Sequence, residues 1–214
     1  MSKKDYSVIQ NHYEKCLKEH GPNHLGVDWP NAKDLATRFN VMLDVIRKDT
    51  IAPCSLLDLG CGVGLLAEHL IIAEMLGSVN YRGVDISQPM IDQARKNYAS
   101  LNFEAHDILE SPLEKESVDY IVMNGVLTEK LTLSYEEMEF FAQRIIQAAF
   151  EASRIGVAFN VMNHHVDWQR DSLFHWRLDD CVGYIIKNLT RHVVVRMDYG
   201  LYEYTVYLYK EPNV

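Results

Sequence analysis

No apolar stretch in this sequence approaches the roughly 20 residues that a helix needs to span a bilayer. The opening segment, Met1-Ser2-Lys3-Lys4-Asp5-Tyr6, lacks the apolar core and small-residue cleavage site of a secretion signal. Cysteine is scarce and scattered: Cys16, Cys54, Cys61 and Cys181 include no Cys-x-x-Cys pair. That pattern argues against a zinc site and a disulfide framework, and four free thiols suit a reducing compartment. The expectation is a cytoplasmic protein with no metal and no membrane partner. Runs of Lys or Arg are missing as well. Thirty acidic residues against 21 basic ones give a formal charge of −9, the wrong sign for gripping a phosphate backbone, so no nucleic-acid partner is expected. Repeats, low-complexity tracts and linkers rich in Pro, Gly or Ser are also absent, which favours one domain, or one domain with a small cap, for 214 residues. With 48% hydrophobic and 24% charged residues, disorder and fibrous architectures are excluded.

What the sequence does contain is alternation. Ser55 to Leu59 reads as a buried strand ending in glycines, and residues 64–76 then show helical spacing. Val79 to Val84 is a second strand, followed by a helix that Ser87 can cap and Pro89 can begin. Leu101 to Ala105, Val118 to Met123 and Ile155 to Val161 are further strands. Between the last two, Met138, Phe141, Ala142, Ile145, Ala149 and Ala152 mark an amphipathic helix over Tyr135 to Ser153. Leu178 to Leu189 reads as helix, and His192 to Met197 and Tyr202 to Tyr209 as closing strands. The gap between these two is too short for a parallel crossover, so they must be antiparallel. The fold class is therefore α/β: a doubly wound seven-stranded sheet, mostly parallel with a C-terminal antiparallel hairpin, and helices on both faces. Two helices, Tyr6 to His20 and Ala32 to Lys48, precede it. Residues 1–49 are read as an N-terminal helical lid on a domain spanning 50–214.

The chemical signal lies in Leu57-Asp58-Leu59-Gly60-Cys61-Gly62-Val63-Gly64. A glycine-rich turn between the first strand and the next helix lets a ligand approach the backbone closely, at the edge where open α/β sheets bind ligands. The second strand ends in Gly83-Val84-Asp85-Ile86, where an acidic side chain can accept both hydrogen bonds of a vicinal ribose diol. Together these elements specify a nucleoside-bearing cofactor. The dinucleotide fingerprint is Gly-x-Gly-x-x-Gly, whereas the glycines here fall as Gly-x-Gly-x-Gly and Leu65 stands where the third would be.

Asp58 to Gly64 resembles the first motif of class I S-adenosylmethionine-dependent methyltransferases. Asp85-Ile86 resembles the second, His106-Asp107-Ile108 the third, and Val118 to Gly125 the fourth strand and its post. More loosely, Gly26-Val27-Asp28-Trp29, Arg38-Phe39 and Asp198 to Thr205 are similar to a bacterial subgroup of small methyltransferases often associated with surface-polysaccharide or natural-product pathways. The resemblance implies S-adenosylmethionine as cofactor. Asp58, Gly60, Cys61, Gly62 and Gly64 would form its loop, with Gly60, Cys61 and Gly62 against the methionine part and ribose. Asp85 would bind the ribose hydroxyls and Ile86 cover adenine. Asp107 would accept from the adenine amino group, with Ile108 donating through its backbone. Asn124 and Gly125 would face the sulfonium and the methionine amino group. Arg38, in the lid, would pair with the cofactor carboxylate or with an anionic acceptor.

A sulfonium already makes its methyl group electrophilic, so positioning can supply most of the catalysis and no catalytic side chain is obligatory. His164 and His165, after the fifth strand, are candidate bases near neutral pH. Trp168, His175 and Trp176 read as a segment covering the substrate. After the fourth strand the chain has Asn124-Gly125-Val126-Leu127 rather than the (Asp/Asn)-Pro-Pro-(Tyr/Phe) run of amino-methylating DNA enzymes. A small-molecule acceptor methylated at oxygen is the preferred expectation. Two alternatives remain: a nicotinamide-dependent oxidoreductase, which lacks its third glycine and a Tyr-x-x-x-Lys pair here, and a non-catalytic S-adenosylmethionine-binding protein.

Overall fold

A computed structural model describes residues 6–213; Met1 to Asp5, the start of the expected lid, lie outside the described residues. Two helices open the chain, α1 (Ser7–His20) and α2 (Ala32–Leu43). Strands and helices then alternate: β1 (Cys54–Leu59), α3 (Leu65–Ile72), β2 (Val79–Asp85), α4 (Gln88–Asn97), β3 (Asn102–Ala105), β4 (Val118–Met123), α5 (Tyr135–Ala152) and β5 (Ser153–Asn163). The chain closes with β6 (His175–Trp176), α6 (Leu178–Asn188), β7 (Val193–Arg196) and β8 (Glu203–Tyr209). The sheet runs β3-β2-β1-β4-β5-β8-β7, with β6 pairing β5 off this path. Strands β1 to β5 pair in parallel, whereas β8 is inserted antiparallel between β5 and β7. The seven-stranded doubly wound sheet and closing hairpin are as expected. The two-residue β6 is an addition too short to leave a periodicity.

Side chains alternate across a strand, and here both faces are covered, so the strands read as near-continuous apolar runs. Leu57, Ile121 and Val157 face α5 and α6, meeting Met138, Ala142, Ile146 and Ile185. Leu56, Tyr120 and Val122 face the other layer, with Phe39 and Met42 of α2, Leu66 and Leu70 of α3, and Ile91 of α4. Thus α2 belongs to the sandwich, and of the two N-terminal helices only α1 reaches over the carboxyl ends of the strands. Local signals set the helix starts. Ser87 Oγ accepts from Met90 N at 3.4 Å to begin α4. Ser134 and Glu137 form a reciprocal capping box that begins α5, at 3.1 and 2.8 Å. The strand order reverses between β1 and β4, which opens the crevice where ligands bind in such sheets.

Candidate active site

The loop after β1 is built to let something approach its backbone. Gly60 has φ +79°, and a Cβ there would lie 2.4 Å from Val126 Cγ2, so only glycine fits. Its amide and that of Cys61 both donate to Val84 O, at 2.7 and 3.0 Å, tying the loop to the end of β2. Asp85 finishes that strand. Its Oδ2 accepts from Gly62 N and its Oδ1 from Ser87 N, both at 2.9 Å. Burial raises its pKa, while these two bonds oppose the shift.

Asp85 stands in a cavity that encloses about 910 Å³ of empty space, the open solvent at its mouth included. Gly60 and Gly62 form its floor. On the β2–β3 side it is lined by Asp85, Ile86, Ser87, Asp107 and Ile108, and on the β4 side by Asn124, Gly125 and Val126. Because β4 lies across β1 from β2 and β3, these two groups stand on opposite sides of the glycine loop. Tyr6, Ile9, Gln10 and Tyr13 of the α1 segment cover the cavity, with Val27 and Trp29 from the loop that follows. Ser87 Oγ donates to Glu14 Oε1 at 2.8 Å, and Tyr6 donates to Asp107 Oδ2 at 2.6 Å while stacking on Phe141. Burial, then the Asp107 bond, pushes the Tyr6 hydroxyl up, so it stays a donor. Tyr13 reaches toward Gly125 O at 3.4 Å, and its enclosed hydroxyl is likewise pushed up, by burial and then by the charges of Glu129 and Asp28.

An adenosyl sulfonium with its methionine fits these residues. Among the described residues Asp85 is held by backbone donors, from Gly62, Ser87 and Ile86, rather than by a cationic side chain, which leaves its outer lone pairs to a diol. On the opposite side, Asn124 Oδ1 is buried without a hydrogen-bond partner, an uncompensated acceptor that an ammonium would satisfy. The Asp107 carboxylate, expected to meet the adenine amino group, is held by Tyr6 and by Leu109 N at 2.9 Å.

Other expected residues stand elsewhere. Asp58 lies behind the loop and accepts from Tyr81 at 2.7 Å; burial pushes its carboxyl up to about 7, against that bond. Cys61 is buried and its thiol pushed well up by burial, with Sγ toward Gly62 O at 3.7 Å, and Gly64 precedes α3 beneath Tyr98 and Phe103. Neither is among the cavity-lining residues. Arg38 is corrected: its Nε donates to buried Glu203 at 2.8 Å and its guanidinium lies 3.9 Å over Trp29, so it faces a protein carboxylate and an indole rather than the cavity. His164 and His165 are corrected too. They meet edge to face after β5, His165 exposed and His164 beside Gln169, and neither lines the cavity. A general base must come within about 3 Å of its proton, or reach it through one water. His175 and Trp176 do not cover a substrate. They are buried, with His175 Nδ1 at 2.8 Å from Asn163 O and Trp176 donating to Glu139 at 3.0 Å.

Sequence reasoning missed Tyr6 and Tyr13, whose spacing on α1 is the one available sign that they share a face. It also missed His12, Cys16 and Asp28, whose ligand atoms lie within 4.8 Å of one another, with His12 Nε2 2.7 Å from Asp28 Oδ2. Among the described residues, no helix is long and apolar enough to cross a membrane.

A doubly wound sheet with a glycine loop, an acidic second-strand end and a cavity at the switch point defines a nucleoside-cofactor-binding protein of the α/β class. The family profile described as a methyltransferase domain matches residues 56–148. Rv1506c of Mycobacterium tuberculosis strain H37Rv, which carries a methyltransferase name, is 30% identical over 166 residues, covering 74% of this chain and 94% of that protein. Malonyl-[acyl-carrier protein] O-methyltransferase of Acetivibrio thermocellus is 26% identical over 123 residues, covering 56% of this chain and 40% of that one. In fold, the chain is similar to magnesium protoporphyrin IX methyltransferase of Synechocystis PCC 6803 crystallised with S-adenosylmethionine, with a TM-score of 0.68, 15% identity, and 98% and 99% of the two chains covered. The chain belongs to the S-adenosylmethionine-dependent methyltransferase family.

Proposed function

We propose that this methyltransferase acts on a small-molecule acceptor, at oxygen, by direct in-line displacement. The observation that carries the reading is the division of the cavity: a carboxylate suited to a ribose diol on one side of the glycine loop, an unpartnered amide oxygen suited to an ammonium on the other. Bound S-adenosylmethionine supplies a methyl group already activated by positive sulfur. The chain's own part is then to bind and orient. Asp85 fixes the ribose, Asn124 and Gly125 fix the amino-acid end, and Tyr6, Tyr13 and Trp29 exclude water. Positioning of this kind contributes up to roughly 7–11 kcal/mol, more than general-base help. Asn124-Gly125-Val126-Leu127, in place of a Pro-Pro run, and the charge of −9 support an acceptor other than a nucleic-acid amino group.

Thermal shift tests the cofactor reading. At a hundredfold excess over Kd, S-adenosylmethionine or S-adenosylhomocysteine is expected to add about 2.7 kcal/mol, a rise of roughly 5–10 °C in Tm for a chain of this size. NAD and NADP are expected to add nothing, and stabilisation by NAD alone would overturn the reading in favour of an oxidoreductase. For the acceptor, radiolabelled methyl transfer into a size-fractionated lysate is expected to label the small-molecule fraction. Label found only in protein or nucleic acid refutes it.

A further inference from the structure

Behind the β4 side of the cavity lies a closed circuit of contacts that the cofactor motifs leave unexplained. Asn160 of β5 accepts from Gly125 N at 2.8 Å through Oδ1 and donates to Glu203 Oε1 at 3.0 Å through Nδ2. The other oxygen of Glu203 takes Arg38 Nε at 2.8 Å. Arg38 stands over the Trp29 ring, its Cζ 3.9 Å from the centroid. Trp29 returns to the start, because a Cβ on Gly125 would stand 2.7 Å from its Cζ2. Asn160 is fully buried, and the Glu203 side chain is 1% exposed. An ion pair in such a place is a poor source of stability, since desolvation consumes most of the attraction. Yet every partner of this one leads to the two groups, Trp29 and the Gly125 backbone, that bound the β4 side of the cavity. Gly125 has φ +81°, a conformation its own backbone does not enforce, so an external bond to its amide has something to hold.

We propose that Glu203 is a positioning residue for the cofactor's amino-acid arm: through Asn160 it fixes the Gly125 amide, and through Arg38 it fixes Trp29. This rests on the proposed placement of that arm at Asn124 and Gly125. Glu203 touches no ligand itself. It aligns two groups that lie 96 positions apart in the chain.

The test needs no acceptor. S-adenosylhomocysteine carries the amino-acid arm and 5′-methylthioadenosine lacks it, so a misplaced Gly125 weakens the first ligand alone. Glu203→Gln leaves one acceptor oxygen for two donors and breaks one side of the circuit. It is expected to weaken S-adenosylhomocysteine about tenfold by calorimetry and to leave 5′-methylthioadenosine within twofold. Asn160→Asp sets two carboxylates against each other and is expected to do the same. Combining the two restores every bond: the new amide donates to the new carboxylate and accepts from Arg38, the new carboxylate still accepts from Gly125, and net charge is unchanged. The double variant is expected within twofold of wild type for both ligands. Should either single variant fail to fold, Trp29→Leu cuts the circuit without removing either partner of the ion pair, and the same split is expected. Equal loss of both ligands, no loss of either, or no rescue in the double variant overturns the proposal. Wild-type protein that binds neither ligand overturns the cofactor reading instead.

Discussion

Replacing Asp85 by alanine is expected to weaken S-adenosylhomocysteine binding by about 1.5–3 kcal/mol, a roughly 10- to 150-fold rise in Kd. Two contributions act together. The carboxylate would accept the ribose hydroxyls as charge-assisted bonds, about twice the strength of neutral ones. It also holds Gly62 N and Ser87 N, so its removal loosens the glycine loop and the start of α4 at once. Ser87 keeps its own bond to Glu14, which retains α1 over the cavity and confines the loss to the ribose side. Isothermal calorimetry at neutral pH measures the effect. An unchanged affinity in a folded variant would remove the ribose assignment and with it the division of the cavity.

The second large effect concerns stability. Among the described residues no cation compensates Asp58 where it is buried; it accepts from the Tyr81 hydroxyl, and burial, with the charge of Asp85 behind it, pushes its carboxyl from 3.8 to about 7. Each pH unit of difference is worth about 1.36 kcal/mol, so ionising Asp58 in place costs on the order of 4 kcal/mol. The folded protein holds this proton where the unfolded chain has released it. The contribution is therefore fully present below about pH 4 and is lost as pH rises through about 7. Asp58→Asn keeps an oxygen for Tyr81 and removes the titration. Urea denaturation is expected to show a flatter pH profile between 4 and 8, and a gain of about 2–4 kcal/mol over wild type at pH 8. Profiles of equal slope for the two proteins would show that Asp58 ionises freely.

A mostly parallel sheet covered on both faces was legible because Leu56 and Leu57, or Tyr120 and Ile121, carry its two-sided burial in their sequence. The meeting of the glycine loop with the acidic end of β2 was legible for a related reason. Gly60, Gly62 and Asp85 sit at strand ends, and strand ends are where local pattern fixes position. On the β4 side Asn124 and Gly125 were legible too, but the residues that hold them were not. Arg38, Asn160 and Glu203 act on Gly125 through contacts that join residues 165 and 43 positions apart, which no local spacing records. Arg38 read as a cofactor ligand because an arginine near a cavity and an arginine behind its wall look alike in sequence. For His164 and His165 residue type was informative and direction was not: a loop after a strand can turn toward the crevice or away from it. Helix α1 carried no capping side chain to announce its start, and its role rests on Tyr6 and Tyr13 facing strands that come much later.

The link between Arg38 and Glu203 also bears on how the protein is made. A ribosome completes the glycine loop and the first five strands well before it reaches Glu203, which follows Arg38 by 165 positions. Until then Arg38 lacks the carboxylate its Nε donates to and Asn160 has one hand empty, so a nascent chain halted before β8 carries the loop but not the finished wall. The last strand synthesised thus closes the wall behind Gly125 and the core around Tyr204, Val206 and Leu208 in one step.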